Sequence, residues 1–109
     1  MALVIPVVSF TRAGTVLPNA QVGDTVEGHT LENDGRVGLL VRNTDTLAPH
    51  NVTIALTRTV DGQSVTPRVV SVPADRSLAL GPFAPGDYGS NVTITVDSVS
   101  LTLVAFRVA

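Results

Sequence analysis

Three separate runs of this chain alternate apolar and polar residues with a period of two, and that pattern rules out a helix for each of them. Val37, Leu39 and Val41 alternate in RVGLLVRN, Val52, Ile54 and Leu56 in NVTIALTRTV, and Val92, Ile94 and Val96 in NVTITVD. Successive side chains of a strand point to opposite faces, so each run predicts a strand with one apolar face and one face of Thr, Arg or small residues. Valine and threonine supply 32 of the 109 residues, and their β-branched side chains suit a pleated surface better than a helix. No window of 10 or more residues keeps an amphipathic helical period. The last run, SLTLVAFRV, is apolar on both faces, with Leu101, Leu103 and Ala105 on one side and Val104, Phe106 and Val108 on the other. It belongs at the centre of a sheet, or at an edge that a partner covers.

Turn chemistry separates these runs at short intervals: NDG at 33–35, TDTLAPH at 44–50, Asp61-Gly62, PAD at 73–75 and PFAPGDYGSN at 82–91. Asp61-Gly62 between strand-like flanks predicts a hairpin turn with positive φ. VPADRSLALGPF reads as strand, turn at Ala74-Asp75, then a strand ended by Gly81-Pro82, after which Pro85-Gly86 turns the chain toward Tyr88. Phe83 and Tyr88 then pack over the open end of a core built mostly from valine. The spacing predicts an all-β fold, an antiparallel two-sheet β-sandwich of seven or eight short strands, immunoglobulin- or fibronectin-like or jelly-roll-like.

A chain of 109 residues is one domain, and folding removes roughly 65% of its unfolded surface from water. Pro6 interrupts the first apolar run, so residues 1–20 form an extended N-terminal arm or edge strand, and residues 21–109 form a single sandwich domain. An apolar arm needs cover, from the domain's own sheet or from a neighbouring molecule. NVTI occurs at 51–54 and 91–94 without similar flanks, so it marks two strands that start alike.

Most chemistry is excluded by what the chain contains. Without cysteine there are no disulfides, thiolate metal sites or cysteine nucleophiles. A net charge of −2 offers no basic field for a phosphate backbone, so no nucleic-acid partner is expected. MALVIPVVSF lacks a basic n-region and its uncharged run ends at Arg12, too short to span a bilayer, so a soluble protein made in the cytoplasm, with no membrane partner, is expected. The two N-x-T sequons then carry no glycan. All seven cations are arginine, a bias that GC-rich codon usage explains and that arginine-rich interfaces share.

Asp24, Glu27, His29, Glu32 and Asp34 form the densest polar cluster, but their spacing fits no EF-hand loop. Glu27 and His29 are expected on one exposed strand face, and Asp34-Gly35 in a turn. His29 and His50 are the candidate bases for a serine nucleophile, yet no G-x-S-x-G elbow is present and Ser64 and Ser90 sit in turns. Neither a catalytic residue, a cofactor nor a metal is assigned, and the chain is read as no enzyme. Arg36, Arg42 and Arg58 are expected on outer strand faces, where a partner's carboxylates would meet them.

The run from LENDGRVGLLVRNT through NVTIALTRTVDGQSV to VSVPADRSLALGPFAPGDY resembles a family of small virion proteins from tailed bacteriophages of GC-rich hosts. Shared features are N-D-G-R, a strand ending in Asn, a T-V-D-G hairpin, V-P-A before the next strand and G-P-F-x-P-x-x-Y. The match spans residues 31–88 and is mostly turn chemistry; it departs at Asp75, where the family has glycine, and the N-terminal arm lies outside it. The resemblance implies a decoration or minor capsid protein on the capsid exterior of the virion, which binds major capsid protein, bridges its subunits against internal DNA pressure, and clusters as trimers or otherwise around symmetry axes. Many weak contacts on one lattice would give it avidity. Val4, Ile5, Val7, Phe10 and Arg12 of the arm are expected to carry attachment, and removal of residues 2–12 to leave a folded monomer that no longer binds shells. A tail or head-tail component, and an immunoglobulin-like ligand or carbohydrate module using loops 44–50 and 82–91, are the alternatives.

Overall fold

A computed structural model describes residues 3–16 and 20–107; Val108, read above as part of the last strand, lies outside them, as do residues 1–2 and 17–19 of the arm. The described residues form twelve strands and one helical turn. Seven strands have four or more residues: β4 (His29–Glu32), β5 (Val37–Asn43), β6 (His50–Ile54), β9 (Arg68–Val72), β10 (Ser77–Leu80), β11 (Asn91–Val96) and β12 (Leu101–Arg107). The others are β1 (Leu3–Val4), β2 (Val7–Ser9), β3 (Gln21–Val22), β7 (Thr59–Val60) and β8 (Gln63–Ser64), and α1 is Pro85–Tyr88. The fold is all-β with no closed barrel, and no helix among the described residues is long and apolar enough to cross a membrane.

One sheet has the order β1-β4-β11-β6-β9; the other runs β10-β5-β12-β2, with β3 also on β12; β7 and β8 form a separate hairpin. Four antiparallel pairs are nested in sequence: β3 with β12, β4 with β11, β5 with β10 and β6 with β9. Successive pairs alternate between the two sheets, so the chain closes as one long hairpin rolled over a core. The inward faces read as the period-two runs predict. Leu31, Val52, Ile54, Val72, Val92, Ile94 and Val96 from the first sheet meet Val37, Leu39, Val41, Leu101, Leu103 and Ala105 from the second in one buried cluster. The two NVTI strands lie side by side, with Ile54 opposite Ile94 and Val52 opposite Val96.

The turns follow their sequence. Asp61 and Gly62 both take positive φ (52° and 76°), as a two-residue hairpin between β7 and β8 requires. Asp75 has φ of 55°. Aspartate tolerates that left-handed conformation, and its carboxylate is held by the Arg42 guanidinium at 3.1 Å. Phe83 is 3% exposed and meets Tyr88 edge-to-face at 5.2 Å, so the corner after β10 caps the core as its sequence predicts. Pro85-Gly86 does so through one helical turn, with the Tyr88 and Asp87 N–H groups donating to the Ala84 carbonyl.

One expectation fails and an open alternative is resolved. The run with Leu56 was expected to continue as a strand, but β6 ends at Ile54: the Thr57 and Arg58 N–H groups donate to the Asp87 carbonyl, which draws these two residues toward α1. For residues 1–20, read as an arm or an edge strand, the described part forms edge strands. β1 lies parallel to β4 and β2 parallel to β12, one edge strand for each sheet, with Pro6 at the crossing. Between them Ile5 is 1% exposed and donates its N–H to the Thr30 carbonyl at 2.8 Å.

Candidate interaction face

The two sheets present different chemistry outward. On the first, Thr30 lies opposite Thr93, Thr53 opposite Thr95, and Asn51 opposite Ser71. That face is polar apart from Val4 and Val69, much as a solvated antiparallel sheet usually is. On the second, cross-strand rows run across the outer face. Ser77, Arg42, Thr102 and Val22 make one row; Ala79, Leu40 and Val104 make the next; Gly38, Phe106 and Val8 the third. Only the first row is polar. This is where the doubly apolar pattern of SLTLVAFRV leads: β12 is a central strand whose second apolar set, Val104 and Phe106, points outward and stays half-buried.

An aromatic stack fixes one end of this face. A Cβ built on Gly38 would lie 2.5 Å from the Phe106 ring, so the ring lies flat across the glycine backbone, a cross-strand glycine–aromatic pair of the kind that rescues glycine in sheets. Phe10 stacks on Phe106 with centroids 5.1 Å apart and planes 7° from parallel. The Phe10 N–H donates to the Arg107 carbonyl, which carries the arm one residue past β2 and puts its ring over β12. Phe10 remains 40% exposed and Val22 60%, so the face is an open apolar surface. Beside the stack lies a cleft of about 450 Å³ lined by Arg36, Gly38, Ala79, Pro82 and Phe106.

The eight residues expected at an interface divide accordingly. Phe10 belongs to this face, Arg42 lies at its polar row, and Arg36 lines its cleft. Val4, on β1 of the other sheet, is exposed; Arg12 is exposed in the turn after β2. Val7 points inward and packs on the core. Ile5 is a correction: a side chain 1% exposed is core and offers a partner nothing. Arg58 lies off any strand, not on the outer strand face expected for it, and is exposed while paired with Asp87 at 3.1 Å. Outward residues of β12 were missed as site residues, although their apolar pattern was the available signal.

The chemistry-bearing side chains are held by structural partners. His29 was expected exposed beside Glu27, but β4 begins at His29 after Gly28 at φ 72°, so strand parity does not extend to Glu27. His29 is fully buried. Its Nε2 accepts the Asp24 N–H at 2.9 Å, which places the proton on Nδ1, 2.7 Å from Gln21 Oε1. Asp24 Oδ1 accepts the Val26 and Glu27 N–H groups, and these bonds hold its carboxyl below the usual value. His50 Nε2 lies 2.8 Å from Asp45 Oδ2 and its Nδ1 3.7 Å from Asp97. Asp45 is likewise pulled down, first by the Leu47 N–H and then by His50. Among the described residues no cluster of three or more His, Asp or Glu is placed to hold a metal, and neither histidine ring bonds a serine hydroxyl.

Burial lowers the His29 pKa from its ordinary 6.5, against a smaller opposing pull from Asp24. The fold therefore holds the neutral ring, while the unfolded chain takes up a proton as pH falls past 6.5. Stability contributed this way is complete above 6.5 and declines on acidification. Asp24 acts lower, below its ordinary 3.8, so the windows are separate. The urea midpoint is expected to fall between pH 7 and pH 5 while the His29 ring signal titrates below 6.5. A flat midpoint with a ring titrating at 6.5 or above would contradict the buried neutral assignment.

No protein family, curated protein or solved structure matches this chain.

Proposed function

We propose that this chain is a structural virion protein of a tailed bacteriophage, a decoration or minor capsid protein that stabilises the head by bridging major capsid subunits. The observation that carries the reading is the apolar outer face of the second sheet. Phe10 and Val22 are exposed on it and Leu40, Val104 and Phe106 half-buried. Docking would take them out of water with no cofactor or reaction required, and exposed apolar patches rimmed by polar groups mark surfaces that dock on other proteins. Arg12, Arg36 and Arg42 at its margin suit a protein partner, since arginine is enriched at interfaces and bonds carboxylates in bidentate fashion.

The fold reading goes with it. Four nested antiparallel pairs that alternate between two sheets are the connectivity of a jelly roll, an architecture that recurs in viral capsid and lectin domains. Fold alone carries no function; the sequence resemblance over residues 31–88 supplies the virion reading. A rigid domain repeated on a lattice needs only modest affinity per copy where neighbouring copies also touch.

The test is co-sedimentation of the purified protein with phage capsids that lack it. Saturation at a fixed large copy number per shell is expected, and Val104→Glu, an outward substitution, is expected to reduce bound copies at least tenfold with the fold intact by circular dichroism. A folded protein that binds no shell would overturn the reading in favour of a tail component or a ligand module.

A further inference from the structure

β10 is the outermost strand of the second sheet, and no described strand pairs with its free side. The Asn43 N–H donates to the Arg76 carbonyl at 2.9 Å, which sets the alternation of the ladder: Arg76, Leu78 and Leu80 face β5 with their backbone groups, while Ser77 and Ala79 aim theirs outward. Edge strands are ordinarily blunted by brevity, proline, a bulge or a charge. The edge strands β1 and β2 are two and three residues long with Pro6 between them, and β9 begins with Arg68. SLAL of β10, longer than β1 and β2, carries no proline, bulge or charge within its four residues.

Two clefts flank this strand, one on each side of the sheet. On the outer side lies the cleft of about 450 Å³ with Gly38, Phe106 and Arg36. On the inner side, between the edges of the two sheets, lies another of about 340 Å³ with Ile54, Val70, Phe83 and Tyr88. Residues 79–82 line both. A strand added beside β10 sends successive side chains to opposite faces, so its alternate residues would enter the two clefts in turn.

The charges say what kind of strand. Arg76 directly precedes β10 and Arg36 lines the outer cleft at the other end; neither makes a side-chain hydrogen bond or ion pair among the described residues. The neighbouring carboxylates are already engaged, Asp75 by Arg42 and Asp87 by Arg58. A second copy of this chain paired symmetrically about Leu78, the register in which Ser77 and Ala79 bond to each other, would set Arg76 of one copy opposite Leu80 of the other and bring neither Arg76 nor Arg36 a carboxylate that is not already engaged. Self-pairing would leave both arginines without a counter-charge, which an acidic segment supplies.

We propose that the free edge of β10 accepts an extended acidic segment of another protein by strand addition, its successive side chains entering the two clefts in turn and its carboxylates meeting Arg36 and Arg76. Backbone bonds to Ser77 and Ala79 supply affinity, and the clefts and arginines supply selectivity. The site does not depend on the virion reading: a lattice could be bound by the outer face with this edge unused, and an acidic strand could be captured by a protein of any location.

The probe is a fluorescein-labelled peptide, Asp-Val-Thr-Val-Thr-Val-Glu, titrated by anisotropy beside its counterpart with lysine at both ends. Saturable binding of the acidic peptide, at least tenfold tighter than the lysine peptide, is expected. Ala79→Pro deletes an N–H that points away from β5, so the ladder survives, and binding is expected to weaken at least tenfold; Arg36→Glu combined with Arg76→Glu is expected to do the same. Hydrogen exchange on the wild-type protein gives an independent readout: the Ser77 and Ala79 amides should be unprotected alone and protected with peptide. Absence of saturable binding, equal binding of both peptides, or unchanged exchange at Ser77 and Ala79 would overturn the proposal. A concentration-dependent dimer in sedimentation that Ala79→Pro abolishes would overturn it in favour of a second copy.

Discussion

Asn43→Ala is expected to lower stability by about 3–4 kcal/mol, more than any surface substitution in this chain. Asn43 is fully buried at the end of β5. Its Nδ2 donates to the Val72 carbonyl at 3.1 Å and the Ala48 carbonyl at 3.0 Å, and its Oδ1 accepts the Asp45 N–H at 2.9 Å. Val72 ends β9 of the opposite sheet, so one amide ties the two layers together and anchors the loop at 44–50. Alanine takes a bond from each of three backbone groups, and the fully buried Val72 residue keeps water from its carbonyl. Each such loss costs about 1–3 kcal/mol, least where solvent reaches. The corresponding fall in Tm is about 10–20 °C. Asn43→Asp should be no better, because it removes the donor and buries a charge. Thr44→Ala, which removes one exposed bond to the Ser100 carbonyl, is the control and should cost about 1 kcal/mol or less. Urea unfolding of the three variants checks the order; a loss under about 1 kcal/mol for Asn43→Ala would show that the amide is not the tie it looks to be.

Removal of residues 2–12 is expected to abolish cooperative unfolding, not to yield the folded, non-binding monomer that the sequence led us to expect. The truncation strips an edge strand from each sheet and with them the bonds from Leu3 N–H to the Gly28 carbonyl, Ile5 N–H to Thr30 and Phe10 N–H to Arg107. It also empties the Ile5 site, one of the largest fully buried side chains. Ile5→Ala alone should cost about 2–4 kcal/mol. Against a total stability of about 5–15 kcal/mol for a domain of this kind, loss of the whole arm leaves little. A truncated chain with the midpoint of the intact protein and a dispersed amide spectrum would show the arm to be dispensable. Attachment is better probed by Phe10 or Val4 substitutions, since those side chains are exposed.

Strands of the core were legible because their cause is local. Period-two alternation in RVGLLV and NVTITV names the inward residues directly, and those residues are the buried cluster. Turns were legible for the same reason: Asp61-Gly62 needs positive φ and takes it. Where the alternation was read past its strand, it misled. Gly28 breaks the parity between Glu27 and His29, and the Asp87 carbonyl draws Thr57 and Arg58 out of line. Both faults come from a residue distant in sequence or from a backbone conformation that the side-chain pattern does not report.

The sequence by itself determined an all-β chain, the inward set of its longer strands, the corner at Phe83 and Tyr88, and the absence of thiol chemistry, since all of these depend on side-chain type and near-neighbour spacing. Only the tertiary structure decided that Pro6 marks a crossing between two sheets, that Ile5 is core, that Asn43 ties the layers, and that Phe106 lies on Gly38 beneath Phe10. Each of those contacts joins residues far apart along the chain. Their registers follow from which strand neighbours which, and a period-two pattern is the same for every such neighbour.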